Sequence, residues 1–409
     1  MNYSLGNMLS NGGALNPDGL ALDLQFAADK TLTARRGPTP TFTRASTATF
    51  VGSNGLIQTA AINAPRFDHD PVTLASRGLL IEESRTNLML RSDDFGNATW
   101  TKINATVTTN QETAPNGSLT ADKIVENAST ALPHGLSQFI TVVANTTYRF
   151  SCFFKAGERS ICRIAQGSNI AVFNLSNGTI ISTSGTPDAN IVSYGNGWYR
   201  CSINTVSATT GMTVNCLMQA ANYIGDGVSG LFIWGAQIEV GSFPTSYIPT
   251  TTASVVRSAD VCSITGSDFS GFYNQSEGTL LTNAFTPASG DRTVLATDDN
   301  TANEMIRLRT EGTNPFFKVT DGGSEVVAID AGTVSANTLF KLIGAYKAND
   351  FASSINGGSA VTDTVGTIPT VDRMRIGAGQ AGNTMCGCVS SVRYFKKRLP
   401  DSKLQSLTA

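Results

Sequence analysis

Along most of this chain, apolar and polar side chains alternate with a period of two, which limits it to sheets with at least one covered face. Between Thr147 and Lys155, Tyr148, Phe150, Cys152 and Phe154 alternate with Thr147, Arg149, Ser151 and Lys155, and Phe153 breaks the polar side. From Leu231 to Val240 the same rule puts Phe232, Trp234, Ala236, Ile238 and Val240 on one face, with Gln237 and Glu239 on the other. Trp234 is therefore expected in the core. Ser176-Asn177-Gly178, Asp321-Gly322-Gly323 and Asn356-Gly357-Gly358 mark hairpins, because Asn, Asp and Gly tolerate the positive φ of tight turns. Many short strands with frequent turns predict an all-β protein: a β-rich N-terminal region followed by two antiparallel β-sandwich (jelly-roll) domains. Helical periodicity is scarce. The best case follows Pro400, where Asp401 or Ser402 is expected to cap a short helix carrying Leu404 and Leu407.

A chain of 409 residues exceeds what one hydrophobic core usually holds, so two or three domains are expected. Charged residues are 15%, below the roughly 25% of typical soluble domains, so the surface is polar and largely uncharged. A net charge of −2 leaves no footprint for nucleic acid, and Lys396-Lys397-Arg398 is short enough to be a solvated strand end. No window reaches the apolar length of a membrane span, and the first residues carry neither the basic start nor the apolar run of a signal peptide. Assembly in the cytoplasm, without membrane insertion, is the expectation.

Cysteine and histidine usage argues against metal and nucleophilic chemistry. The seven Cys, at 152, 162, 201, 216, 262, 386 and 388, include no Cys-x-x-Cys pair of the kind zinc sites use. Cys386 and Cys388 share one strand face as small hydrophobes. Neither His69 nor His134 lies in a nucleophile-elbow context, and His69 reads as part of a turn before Pro71. Asp298, Asp299 and Asp321 match no calcium-loop spacing and read as hairpin residues. No metal, cofactor or catalytic residue is expected.

Residues 41 to 88 contain Phe42-Thr43-Arg44-Ala45-Ser46, Pro65-Arg66-Phe67-Asp68, Arg77-Gly78-Leu79-Leu80-Ile81-Glu82 and Arg85-Thr86-Asn87-Leu88. This block resembles a segment of tailed-bacteriophage virion proteins of the head-spike, fibre and minor structural types. As residues, Arg44 and Arg66 beside aromatics, with Glu82, Glu83 and Arg85 close together, predict a local network of charge-assisted hydrogen bonds. Glu82 and Glu83 cannot serve as an acid and base pair across one glycosidic bond, because neighbours in a strand face opposite ways.

Composition and resemblance together suggest three segments. Residues 1–90 form the phage-type attachment region, with one strand through Leu20, Leu22, Leu24 and Phe26 and an opening dozen residues that could order as an arm against a partner. Residues 91–250, from Asn97-Ala98-Thr99-Trp100 to the strand closing at Glu239, are similar to carbohydrate-binding-module-like jelly rolls. Residues 250–254 read as a linker. Residues 251–409 look like a concanavalin A-like, laminin-G-type sandwich whose first and last strands pair.

The resemblance implies a non-enzymatic virion structural protein, a fibre, spike or head-decoration component, that displays β-sandwiches for host-surface or glycan attachment. Its implied partners are other virion proteins, of capsid or tail, and host surface glycans; its implied assembly is a homotrimer, and its implied location the virion. The alternatives are a purely architectural capsid-decoration protein without glycan binding, and a glycan-degrading tailspike. The latter would need a parallel β-helix or two carboxylates roughly 5 to 10 Å apart, and neither a repeat nor an acidic cluster is present in the sequence. Sugars are commonly held on exposed aromatic faces. In the segment 198–205, Tyr199, Cys201 and Ile203 form the apolar face and Trp198 sits with Arg200, Ser202 and Asn204, so Trp198 is the candidate ligand-binding residue. Trp100 is expected to be a packing anchor.

Overall fold

The computed structural model describes residues 18–128, 131–185, 187–285, 290–335, 337–380 and 383–409. The expected N-terminal arm lies outside the described residues. The chain is about 52% strand and 5% helix, arranged in antiparallel sheets, an all-β fold as the alternation requires. It divides into two compact units, 42–260 on one side and 1–41 with 261–409 on the other. The boundary expected near residue 90 therefore falls inside a unit, and the described residues before 42 belong with the C-terminal sandwich.

In the 42–260 unit two sheets face each other. One runs in the order Asn190–Ser193, Trp198–Val206, Thr147–Ala156, Gly230–Val240, Leu119–Glu126, Ala105–Thr113. The other runs Thr179–Ser184, Asn169–Asn174, Ile161–Gln166, Gly211–Tyr223, Leu132–Thr141, Thr101–Ile103. Phe150, Cys152, Phe154, Ile203 and Ile238 meet Leu136, Ile164, Phe173, Val214 and Cys216 in the core between them. Trp100 is fully buried there and donates its indole N–H to the Arg91 carbonyl at 2.9 Å, the anchor that was expected.

The first sheet is covered on its other face too, which resolves the irregularity at Phe153. Phe153 packs with Trp198, Trp234, Tyr247, Ala121, Ala114 and Ile57 in a second, smaller core. Trp234 joins it because the alternation slips: Ser151 pairs with Gln237, but Phe153 pairs with Trp234. The slip sits at Gly235, whose φ of +64° and whose missing side chain, 2.9 Å from the Phe153 ring if it existed, make a bulge that only glycine fits. Leu231 and Ile233 thus face the main core before the bulge, Ala236 and Ile238 after it, and Trp234 faces away from all four.

Residues 250–254 are not a free linker. Thr250 donates its N–H to Ser92 Oγ at 2.8 Å and its hydroxyl to the Met89 carbonyl at 2.6 Å, and Val255–Arg257 pairs with Arg85–Asn87.

In the other unit, one sheet includes the order Val361–Asp363, Phe351–Ile355, Leu339–Lys347, Glu277–Phe285, Gly387–Phe395, so the first and last long strands of the C-terminal sandwich pair as expected. Leu20–Leu24 adds to it beside Gly387–Phe395. That strand ends earlier than its apolar pattern suggests, since Phe26 opens a short helix, Phe26–Asp29. A second sheet includes Val261–Thr265, Arg373–Ile376, Arg292–Asp298, Met305–Glu311, Asn314–Asp321, Ser324–Asp330. The tail helix Asp401–Thr408 forms and buries Leu404, but Pro400 holds the capping position and no side chain caps it. Asp401 instead pairs with Arg398 at 2.6 Å.

Candidate functional site

The polar residues of the 41–88 block form a buried network within the 42–260 unit. Arg66 donates to the Thr49 carbonyl, Glu82 Oε2 and Ser246 Oγ at 2.8, 2.8 and 2.9 Å, and to Asp260 Oδ2 at 2.5 Å. Arg44 reaches Asp260 Oδ1 at 3.1 Å, and Arg257 reaches Glu82 Oε2 at 2.9 Å. Glu82 also accepts the Ser246 N–H at 2.8 Å. Burial by itself would raise the Glu82 carboxyl, but Arg257, Arg66 and the Ser246 hydrogen bonds hold it down at about 2. Asn87 completes the fastening: its amide donates to the Ala236 and Ile248 carbonyls and accepts from the Met89 and Ile238 N–H groups. The block is a clasp that ties 42–92 to 236–260, and its charged heads are closed to any ligand.

The residue singled out for sugar contact lies elsewhere than expected. Trp198 does point away from the main core, as strand parity requires, yet only 2% of it is exposed. It lies in the second core and donates its indole N–H to the Thr113 carbonyl at 2.9 Å. Parity was legible; the cover laid over that face by distant segments was not. His69 is buried with Nδ1 3.2 Å from the Val51 carbonyl, and Glu83 pairs with Arg85. Asp298 is buried and bonded to Arg375 at 2.8 Å.

Ionisable groups also converge at Glu126. It accepts from Arg159 Nε at 2.9 Å and Nη2 at 2.5 Å, from the Tyr223 hydroxyl, and from the Asp226 N–H at 2.8 Å. Burial raises this carboxyl, but the Arg159 and Tyr223 hydrogen bonds bring it below its ordinary value. A carboxylate with so many donors and almost no exposure is a loop fastener, not a free base or nucleophile.

An open cleft of about 420 Å³ lies at one end of the same unit, lined by Ser84, Arg85, Thr86, Leu88, Thr141, Val142, Val143, Tyr148 and Val240. The Arg85–Asn87 strand supplies one wall, the ends of Leu132–Thr141 and Gly230–Val240 and the start of Thr147–Ala156 the others. Tyr148 is held in place by accepting the Val143 N–H at 2.9 Å. The Arg85 guanidinium lies over the Phe243 ring, 5.3 Å from its centre, and against Gly241. A Cβ on Gly241 would stand 1.9 Å from Arg85 Nη1, so a side chain there would push the guanidinium aside, and its φ of +131° favours glycine. Arg85 pairs with Glu83 through Nη2, while Nε and Nη1 are buried without a hydrogen-bond acceptor. The Arg85 side chain, hydroxyls from Ser84, Thr86 and Thr141, and an aliphatic floor can hold a polar ligand with an apolar face. No carboxylate or histidine is among the described lining residues, so the cleft offers no acid and base pair. Sequence reasoning missed it because its walls come from three segments far apart in the chain.

The fold defines the class: an antiparallel β-sandwich protein. No protein-family model and no curated protein matches the chain. Among solved structures, the Ruminococcus gnavus IT-sialidase CBM40 bound to α2,3-sialyllactose is similar at 14% identity and a TM-score of 0.31, over 35% of this chain and 87% of that one. Domains LG4-5 of the mouse laminin α1 chain are similar at 11% identity and a TM-score of 0.26, over 68% and 88%. A Trypanosoma rangeli sialidase is similar at 10% identity and a TM-score of 0.28, over 74% and 61%. The likeness extends to β-rich architecture alone.

Proposed function

We propose that the chain is a non-enzymatic structural protein of a tailed-phage virion, a fibre, spike or head-decoration component, whose 42–260 unit holds a host-surface glycan in the Arg85 cleft. The observation that carries this reading is the cleft itself, lined by Arg85, hydroxyls and an aliphatic floor, with no acid and base pair among the described lining residues. The virion placement is supported by the phage-like block. The buried free thiols of Cys152, Cys162, Cys201 and Cys216 fit assembly in a reducing cytoplasm. A homotrimeric assembly would multiply weak cleft contacts by raising effective concentration.

Titrating the full chain with purified host polysaccharide, for wild type and Arg85→Gln, tests the reading. Binding that Arg85→Gln weakens at least about tenfold is expected, since a hydrogen bond to a charged group is worth roughly 1.5–3 kcal/mol. Release of new reducing ends would move the protein to the glycan-degrading class. Absence of binding, with fragile heads and normal adsorption when the gene is deleted, would move it to the architectural one.

A further inference from the structure

We propose a second binding site, independent of the cleft: an oxyanion site on the outward face of the Arg292–Asp298, Met305–Glu311 and Asn314–Asp321 strands, centred on Arg307. Register fixes the arrangement. Arg375, Ala296, Arg307, Lys318 and Ala328 are successive cross-strand partners, so they form one row across five strands. Arg309, two residues along from Arg307, faces the same way, whereas Ile306 and Leu308 are fully buried on the other side. Neighbouring strands stand about 4.8 Å apart, which puts three further cationic side chains, those of Arg309, Lys318 and Arg375, within roughly 10 Å of Arg307.

Three of these cations are neutralised. Arg309 pairs with Asp291 at 3.2 Å and Glu311 at 3.3 Å, Lys318 with Glu311 at 2.7 Å and Glu325 at 3.1 Å, and Arg375 with Asp298 at 2.8 Å. Arg307 has no carboxylate partner among the described residues. Its one hydrogen bond, from Nη2 to Thr320 Oγ1, is 3.4 Å long, and its Nε is buried without an acceptor. Burial and the neighbouring Arg309 push its guanidinium below the ordinary value, more than Glu325 and Glu311, which lie near without bonding to it, push it back up. Ala296, its partner on one side, is too short to cover it. A half-buried guanidinium bonded to no carboxylate, flanked by cations, is completed by a carboxylate, sulfate or phosphate group that accepts from its Nη groups. That group could come from an acidic surface polysaccharide or from a free ion.

The test uses calorimetric titration of the full chain with sodium sulfate and with an oligogalacturonate, at matched ionic strength, for wild type and Arg307→Gln. Saturable binding by wild type, weakened about tenfold or more in Arg307→Gln, is expected. A thermal melt without ligand separates this from a structural role: Arg307→Gln should melt at or above wild type, because it removes a charge that burial disfavours and that no carboxylate bonds among the described residues. Binding of sulfate but not the oligomer keeps the site and assigns it to a free ion; binding of the oligomer assigns it to the polysaccharide. No saturable binding of either probe, equal binding by Arg307→Gln, or a melt several degrees lower would overturn the proposal. None of these outcomes bears on the Arg85 cleft, which lies in the other unit.

Discussion

Arg66→Met is the sharpest perturbation of the clasp, because the methionine fills similar space while removing a buried cation that serves four acceptors. Removing one partner of a buried ion pair typically costs about 3–5 kcal/mol. Here the loss should lie near the lower end, since Glu82 keeps Arg257 and Asp260 keeps Arg44. For a unit of this size 1 kcal/mol moves the melting temperature by roughly 2–4 °C, so a fall of about 6–12 °C at pH 7 is expected. The pH dependence gives an independent check. Glu82 is held at about 2, below its ordinary 4.5, so its contribution is fully present above pH 4.5 and is lost as pH falls toward 2. Arg66→Met removes part of that depression, and the gap between variant and wild type should narrow as pH falls through this window. Differential scanning calorimetry at pH 7 and pH 3 reads both quantities. A fall of under about 2 °C at pH 7, or a gap that widens in acid, would refute the clasp as a stabilising element.

Other consequences follow from single sites. Asp68 is pushed up by burial to about 6 from 3.8, so it destabilises the fold increasingly as pH rises from about 4 through 6; Asp68→Asn should gain roughly 1–3 kcal/mol at pH 8 and little at pH 4, measured by urea unfolding. Trp198→Phe should lower stability through the lost Thr113 hydrogen bond and leave glycan binding unchanged, so a variant that folds well but stops binding would reinstate Trp198 as a contact residue. Gly241→Ala should displace Arg85 and weaken cleft binding while the sandwich keeps its near-ultraviolet circular dichroism. The seven buried thiols should resist alkylation by iodoacetamide until the chain is unfolded; rapid labelling of the native protein would contradict their burial.

Strand content, hairpin positions and the inward face of Thr147–Ala156 were legible because each depends on neighbours two to four residues apart. The polarity of Trp198 was legible for the same reason. What covers Trp198 was not, since that depends on Ile57, Ala114 and Tyr247, which approach from 50 to 140 positions away. The one clue was Phe153, an apolar residue on a face otherwise read as polar: such a misfit is what a sheet covered on both sides produces. Trp234 is in a core as expected, but its face was misread because a single glycine in the left-handed region reverses parity, and Gly235 has no sequence mark that distinguishes it from a glycine in an ordinary strand. The linker at 250–254 was misread because Thr-rich composition says nothing about whether the hydroxyls meet Met89 and Ser92.

The clasp also limits what the 41–88 block can reveal. Arg44, Arg66, Glu82 and Asn87 each hold partners fixed by the fold, so their identities report how 42–92 is fastened to 236–260 and nothing about a ligand. The cleft wall is different: Ser84, Thr86, Thr141, Val143 and Val240 are small side chains at strand ends and on the turn beside them, where exchanging one for another alters the ligand surface without breaking a buried ion pair. Arg85 joins the two regimes, since its backbone belongs to the strand paired with Val255–Arg257 while its side chain is among those lining the cleft. A family of chains sharing the clasp could therefore keep this architecture while its members bind different sugars, and exchanging the cleft residues between two such chains should transfer specificity without changing the melting temperature by more than a few degrees.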